Sequence, residues 1–232
     1  MKSTAIILAG GSGTRMKSKT KKQYMPLCGR PLLFYAVSAF EKSCADEIVI
    51  VTGEGDEKFC RKTIVEPFGF KKVVDVIAGG AERFNSVMRG LEAAGECDVV
   101  AIHDGARPLI DPETINESFK TAQERGACVT AVPVKDTIKL VAESERICET
   151  PDRSGLWIAQ TPQTFRFDLI KEAYRLFEES ADTDVTDDAQ TVERYTGAKV
   201  FVIRGSYKNI KITTPEDMIM AEALMRHNAG TV

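Results

Sequence analysis

The chain has 232 residues, a formal net charge of −3 at pH 7, 43% hydrophobic residues and six cysteines. This length suits one large globular domain, and the charge excludes a broad basic surface for nucleic acid. The first apolar run is too short for a signal peptide or a membrane span, and the cysteines lack the spacing of a metal site or a disulfide framework. We therefore expect a cytoplasmic protein that binds neither nucleic acid nor membrane.

The first predicted strand, residues 5–8, leads directly into a glycine-rich loop. Residues 8–16 read L-A-G-G-S-G-T-R-M, and a K-Q-Y motif follows at residues 22–24. The loop glycines, which let backbone N–H groups approach a ligand, are Gly10, Gly11 and Gly13. Arg15 and Lys22 add cations that a plain β–α turn, the alternative interpretation, does not need. The loop matches neither the P-loop nor the dinucleotide fingerprint, and it predicts a polyphosphate site.

Further along the chain, short apolar runs alternate with helical segments. We expect strands buried on both faces in the runs rich in Val and Ile, which are residues 47–52, 73–78, 99–103 and 127–134. Apolar spacing predicts a helix around residues 84–91, and proline-containing caps predict helices at residues 111–125 and 214–227. The alternation predicts an α/β fold with a doubly wound, mainly parallel sheet, whose ligands lie at the carboxyl ends of the strands.

Residues 136–158 break this alternation because they show no helical period. Two β-like runs, residues 137–141 and 146–150, flank a polar turn and predict a protruding β-hairpin arm. Because an isolated hairpin is marginally stable in water, we expect this arm to pack on a second copy of the chain. The sequence thus predicts one domain over residues 1–232 that forms a homodimer through its arm.

Polar residues that could carry chemistry follow several predicted strands. Asp104 ends the fourth strand, where it could hold Mg²⁺ through oxygen or, alternatively, cap the next turn and pair with Arg107. Gly80 precedes a helix whose first turn carries Arg83 and Ser86, which is typical of an anion or base site but is also compatible with polar filler. No arrangement of nucleophile and base stands out, which fits phosphoryl-type transfer to an anionic substrate.

Together, these motifs resemble those of the 2-C-methyl-D-erythritol 4-phosphate cytidylyltransferases of the non-mevalonate isoprenoid pathway. The matching segments are A-G-G-S-G-T-R-M, K-Q-Y, G-G-x-x-R-x-x-S-V, H-D-G-A-R-P, P-V-K-D-T-I-K, Q-T-P-Q-x-F, T-D-D-A and N-I-K-x-T-x-P-E-D. The resemblance implies a nucleotidyltransferase fold, CTP and a polyol phosphate as substrates, and Mg²⁺ or another divalent cation as cofactor. The family usually has proline before K-Q-Y, where this chain has Lys21.

The resemblance also implies roles for individual residues. Arg15 and Lys22 would stabilise charge on the α-phosphate of CTP, and Asp104 would hold the metal. The residues that would bind the nucleotide are Ala9, Gly10, Gly11, Gly13, Gly80, Arg83 and Ser86. The residues that would bind the polyol phosphate are Asp104, Gly105, Arg107, Thr137, Arg153, Thr161, Thr186 and Lys211. Of these, Arg153 and Lys211 would also be catalytic, and the two arm residues would reach the substrate of the partner subunit.

Two alternatives to this function follow from the sequence. The related ribitol 5-phosphate cytidylyltransferases share the fold and the CTP loop, but Ala106, Lys139 and Thr186 favour methylerythritol phosphate. A non-catalytic nucleotide-sensing module would keep the loop and lose the cations, whereas this chain retains Arg15 and Lys22.

Overall fold

The computed structural model describes residues 1–11, 13–16, 18, 20–180 and 184–229. Ser12 of the glycine-rich motif lies outside these residues. The strands are β1 (Ser3–Ala9), β2 (Pro26–Leu27), β3 (Arg30–Pro31), β4 (Glu47–Thr52), β5 (Val73–Ala78), β6 (Val99–Asp104), β7 (Ala127–Pro133), β8 (Leu140–Val141), β9 (Ile147–Glu149), β10 (Trp157–Arg166) and β11 (Phe201–Arg204). The helices are α1 (Leu32–Glu41), α2 (Glu57–Cys60), α3 (Glu66–Phe68), α4 (Arg83–Ala94), α5 (Pro112–Arg125), α6 (Phe167–Glu179), α7 (Asp188–Thr196) and α8 (Pro215–Ala229).

Seven of these strands form a central sheet in the order β11-β7-β10-β6-β1-β4-β5. Neighbouring strands run parallel except β10, which is antiparallel to both β6 and β7. The mainly parallel α/β fold is therefore confirmed, and the apolar runs identified from the sequence are its strands. The sequence analysis missed β10 because Pro162, a residue that argues against a central strand, lies at a break in its register with β7.

Helices cover both faces of the sheet, and β1 shows why its strands are continuously apolar. Ala5 and Ile7 pack on the face covered by α1 and α5, whereas Ile6 packs with α4, α6 and α7 on the opposite face. A strand buried on both faces has no position for a solvent-facing polar residue. A smaller cluster packs Ile212, in the loop after β11, against Leu32, which brings the C-terminal segment next to the amino-terminal loop.

Both helices predicted from proline-containing starts are present, and at each start a carboxylate accepts a hydrogen bond from a backbone N–H group. The carboxylate of Asp111 accepts a hydrogen bond from the backbone N–H of Thr114 at 2.7 Å, so it caps α5. At the start of α8 the bond runs from the backbone N–H of Thr214 to Asp217 in the first turn, at 2.8 Å. Both bonds satisfy N–H groups at the helix starts. Among the described residues, no helix combines the length and the apolar character needed to cross a bilayer.

The hairpin arm is present, although it is smaller than the sequence indicated. β8 and β9 pair antiparallel and have two and three residues instead of the five predicted for each run. Trp157 and Ile158, the last residues of the predicted arm, pair with β7 and belong to β10. A short 3₁₀ turn, Arg153–Gly155, connects β9 to β10.

Candidate active site

A cleft of about 240 Å³ opens at the carboxyl ends of β1 and β6. Leu8 and Asp104 lie opposite each other in these two parallel strands, so the chain leaves both strands at the same edge of the sheet. The predicted site residues that line the cleft are Ala9, Gly10, Gly11, Lys22, Gly80, Arg83, Ser86, Asp104, Gly105 and Lys211. Segments that are far apart in the sequence therefore meet where a doubly wound fold binds its ligand.

Asp104 is a buried carboxylate surrounded by cations. Its Oδ2 lies 3.0 Å from Nζ of Lys211 and 3.5 Å from Nε of Arg107, and its Oδ1 lies 3.9 Å from Nε of Arg83. Burial alone would raise the pKa of this carboxyl, but the three cations outweigh burial and hold the pKa well below its usual range. Asp104 is therefore ionised at neutral pH. It pairs with Arg107, as a turn-capping aspartate would, and also with a lysine that a turn does not need.

Thr161 supports Asp104 and does not line the cleft. Its buried hydroxyl accepts a hydrogen bond from the backbone N–H of Asp104 at 3.0 Å and lies 3.1 Å from Nδ1 of His103. Burial lowers the pKa of His103 to about 4, so its ring is neutral at physiological pH. The irregular part of β10 thus places a hydroxyl directly behind the carboxylate of the site.

The adjacent lysines Lys21 and Lys22 point in different directions. Nζ of Lys22 lines the cleft and donates to the carbonyl oxygen of Ile212 at 2.7 Å, whereas Nζ of Lys21 pairs with Asp56 at 2.6 Å. Burial lowers the pKa of Lys22, and the positive charge of Lys211 lowers it further. An ammonium group crowded by another cation is stabilised when a polyanion arrives. Lys22 is therefore the lysine of the pair that faces the cleft.

Both glycine turns approach neighbouring side chains too closely to carry a side chain of their own. Gly13 has a φ of +61°, and a Cβ there would lie 2.9 Å from Cβ of Lys22. A Cβ at Gly80 would collide with Cβ of Asn85, near the start of α4. The N–H of Gly80 donates to Oγ of Ser86 at 3.1 Å, which holds the second turn against the helix.

Arg83 is held between two carboxylates. Its Nη1 and Nη2 donate to the two oxygens of Asp188 at 2.8 and 2.6 Å, while its Nε faces Asp104. Asp188 is fully buried and also accepts a hydrogen bond from the hydroxyl of Tyr174 at 2.6 Å. Burial would lower the pKa of Arg83, but Asp188 outweighs burial and raises it. The sequence analysis assigned no role to Asp188; the available signal was an acidic residue on the same buried helix face as Val192.

The family model of IspD, 2-C-methyl-D-erythritol 4-phosphate cytidylyltransferase, matches residues 3–227. The chain belongs to this family. It is 47% identical over 227 residues to the 2-C-methyl-D-erythritol 4-phosphate cytidylyltransferase of Alkaliphilus oremlandii, covering 97% of this chain and 95% of that protein. It is 49% identical over 225 residues to the enzyme of the same name from Lachnospira eligens, covering 96% of this chain and 99% of the relative.

Solved structures of IspD-family proteins have the same fold. The 4-diphosphocytidyl-2C-methyl-D-erythritol synthase of Anaerococcus prevotii matches with a TM-score of 0.86 and 32% identity, covering 97% of this chain and 96% of that chain. The 2-C-methyl-D-erythritol 4-phosphate cytidylyltransferase of Thermus thermophilus matches with a TM-score of 0.79 and 32% identity, covering 97% and 100%. The nucleotidyltransferase fold inferred from the motifs is thereby confirmed.

Four predicted residues of this IspD-family chain are exposed and do not line the cleft: Arg15, Thr137, Arg153 and Thr186. Arg15 is close enough for its charge to contribute to the lowered pKa of the cleft lysine. Thr186 lines a neighbouring cleft of about 470 Å³, which shares Arg83 with the first. Arg153 donates to the carbonyl oxygen of Lys135 at 2.7 Å, within its own arm.

Gln23 also lines the cleft of about 240 Å³, although the sequence analysis gave it no role. Its Nε2 is buried and has no hydrogen-bond partner among the described residues. A buried donor without a partner costs about 1–3 kcal/mol, so a ligand oxygen at this position would be stabilising. Its place beside Lys22 in the K-Q-Y motif was the signal that could have identified it.

Proposed function

We propose that this chain transfers the cytidylyl group of CTP to 2-C-methyl-D-erythritol 4-phosphate. A phosphate oxygen of the polyol phosphate attacks the α-phosphorus of CTP and forms a new P–O bond. The bond from that phosphorus to the oxygen bridging to the β-phosphate breaks, and pyrophosphate leaves with the bonding electrons. The products are 4-diphosphocytidyl-2-C-methyl-D-erythritol and pyrophosphate.

The observation that carries this proposal is the pair of lysines, Lys22 and Lys211, beside the glycine-rich loop in one cleft. A substrate phosphate is already an anionic nucleophile, so the reaction needs positioning and charge stabilisation more than a general base. No histidine or cysteine is among the described residues that line the cleft, which fits this requirement. The relatives reported above are named for the same reaction, and this chain belongs to their family.

In this proposal the residues that line the cleft have different roles. The glycine-rich loop would hold the triphosphate, and Lys22 with Arg15 would stabilise the charge that develops on the α-phosphate and the leaving pyrophosphate. The turn before α4 would bind cytosine and ribose. Lys211, 3.0 Å from Asp104, would orient the incoming phosphate. Thr186, in the neighbouring cleft, would contact the polyol.

A divalent cation fits at Asp104. Its Oδ2 pairs with Lys211 and Arg107, whereas its Oδ1 lies 3.9 Å from Nε of Arg83. The described residues contain no group of three His, Cys, Asp or Glu side chains that could hold a metal. Mg²⁺ is commonly held by one or two carboxylates together with substrate phosphates, which is the arrangement this site can supply. When bound, it would neutralise charge on the triphosphate.

The proposal includes a homodimer in which the arm completes the site of the partner subunit. Leu140, Val141 and Ile147 of the hairpin are about half exposed, and so is Ile158 beside it. Apolar side chains clustered on a small hairpin are typical of an interface, and the hairpin is too short to be stable alone. Arg153, with Thr137, would then approach the polyol phosphate bound by the other subunit.

We also propose that the enzyme works in the cytoplasm. All six cysteines are free, and the buried ones include Cys60 and Cys128. Free thiols are typical of a reducing compartment. Fractionation of cells of the source organism, followed by immunodetection of the chain, tests this location.

Release of pyrophosphate from CTP tests the reaction itself. We expect release with Mg²⁺ and 2-C-methyl-D-erythritol 4-phosphate, accompanied by the cytidine diphosphate product. Preference for ribitol 5-phosphate would favour the related cytidylyltransferase. Binding of CTP without release in the presence of either polyol phosphate would indicate a nucleotide-sensing module.

A further inference from the structure

The Arg83–Asp188 ion pair joins two helix starts that border different clefts. Arg83 is the first residue of α4 and lines both the cleft of about 240 Å³ and the neighbouring cleft of about 470 Å³. Asp188 is the first residue of α7, two positions after Thr186 in the second cleft. The pair therefore links the turn proposed for the nucleotide to the segment proposed for the polyol.

The geometry of the pair fixes the guanidinium group of Arg83. Both Nη atoms bond to Asp188, one to each carboxylate oxygen, so the bidentate pair fixes the plane of the guanidinium group. The Oδ1 atom of Asp188 is held in turn by the hydroxyl of Tyr174 on α6. The Nε atom of Arg83 faces Asp104 at 3.9 Å. Asp188 therefore holds Arg83 between two carboxylates, one at the start of α7 and one at the end of β6.

A role in folding alone accounts poorly for this arrangement. A buried ion pair often stabilises a fold no better than apolar side chains of similar size. Here the buried partner is Asp188, with 0% of its surface exposed, while the side chain of Arg83 keeps about a third of its surface exposed at the clefts. The charge of Asp188 thus orients the side chain of Arg83, which faces both clefts.

We propose that Asp188 is a positioning residue that acts through Arg83, holding the start of α4 in the conformation that binds CTP. This inference rests on the proposed function, in which that turn binds the nucleotide. Loss of the Asp188 charge then weakens CTP binding while the chemical step, carried by other cations, changes little. It also lowers the affinity for the polyol phosphate, because the same pair borders the cleft of Thr186.

Titration calorimetry with CTP and Mg²⁺, without the second substrate, measures this effect on the intact dimeric chain. Asp188→Asn keeps the shape of the side chain but removes its charge, and we expect the dissociation constant of CTP to rise about 10- to 100-fold, as for other lost supporting partners. In steady-state assays KM for CTP should rise while kcat stays within about threefold. Tyr174→Phe is the matched control: it removes one bond to the same carboxylate but leaves both Arg83 bonds, so CTP affinity should change less than threefold.

A double-variant comparison separates positioning from folding. If Asp188 acts through Arg83, Arg83→Leu/Asp188→Asn should bind CTP as Arg83→Leu does, because the second change has nothing left to act on. The proposal would be overturned if Asp188→Asn weakened CTP binding by the same factor in the wild type and in Arg83→Leu. Equal effects of Asp188→Asn and Tyr174→Phe on CTP binding would also overturn it. If Asp188→Asn alone does not fold, shown by its melting curve, the Arg83→Leu pair still decides the question. Failure of the wild type to bind CTP would refute the proposed function itself, whereas wild-type binding with an unaffected Asp188→Asn would refute only this inference.

Discussion

Replacing Lys22 by methionine tests how the cleft handles negative charge. Methionine keeps the unbranched apolar stem of lysine but removes the ammonium group. Nζ of Lys22 donates one of its three N–H groups to the carbonyl oxygen of Ile212, so two N–H groups remain for a phosphate. Lys21→Met is the matched control, because Lys21 pairs with Asp56 outside the cleft.

The change removes both a donor for the reacting phosphates and the hydrogen bond to Ile212, and these two losses differ in size. Removing a donor aimed at developing charge costs about 10²–10³-fold in kcat, whereas losing the hydrogen bond to Ile212 costs the fold only about 1 kcal/mol. We therefore expect Lys22→Met to lower kcat at least about 100-fold, with a much smaller rise in KM for CTP. The partly exposed pair of Lys21 is worth about 0–1 kcal/mol, so Lys21→Met should keep kcat within about twofold.

Steady-state release of pyrophosphate at saturating polyol phosphate, measured over a range of CTP concentrations, gives kcat and KM for CTP. The pH profile adds a second signature, because burial, reinforced by Lys211, lowers the pKa of Lys22. In the proposed function only the ammonium form stabilises the developing charge, so kcat/KM for CTP, which reports the free enzyme, should decline at a lower alkaline pH than an ordinary lysine would give. A Lys22→Met enzyme with normal kcat and weakened CTP binding would refute the reasoning, since Lys22 would then act only on the ground state.

Three further results are expected. Activity should require Mg²⁺, and Asp104→Asn should raise the Mg²⁺ concentration needed for half-maximal rate; full turnover in excess chelator would contradict this. When Arg153→Ala and Arg15→Ala subunits are mixed, each heterodimer should regain up to about half of the wild-type activity, because one of its two composite sites is then whole; a mixture as inactive as its parents, despite subunit exchange, would place Arg153 in the site of its own subunit. His103, with a native pKa of about 4 against about 6.5 when unfolded, binds fewer protons in the native state between these values. Stability should therefore fall as pH is lowered, by roughly 2 kcal/mol between pH 7 and 5. Urea titrations check this, and an equal loss in His103→Gln would attribute the dependence to other groups.

The sequence predicts β1, β4, β5, β6 and β7 but misses the antiparallel β10 and the short parallel edge strand β11. Strands buried on both faces are continuous apolar runs, as in β1 and β4, and such runs are visible without knowing their partners. β10 instead carries Gln160, Thr161 and Gln163, which are buried because they bond to other segments. Those partners become evident only when the fold brings the segments together.

The candidate site divides in the same way. The glycine-rich loop and Asp104 were identifiable because each directly follows an apolar strand, where a parallel sheet collects its ligand groups. The bond between Arg83 and Asp188 joins residues 105 positions apart, so no local spacing indicates it. Thr161 was assigned to substrate, whereas its hydroxyl bonds to the backbone of Asp104.

Lys21, which occupies the usual proline position of the family, shows how one backbone conformation can be stabilised by different means. Its φ of −58° lies within the range that a proline ring imposes. Proline would favour this turn by reducing the conformational entropy of the unfolded chain, an effect of about 0.4–1 kcal/mol that does not depend on salt. The ion pair of Lys21 with Asp56 instead stabilises the folded chain and is screened by ions. The conformation of Lys21, directly before Lys22, is therefore stabilised by a contact that weakens as ionic strength rises, whereas the stabilisation that proline provides would not depend on salt.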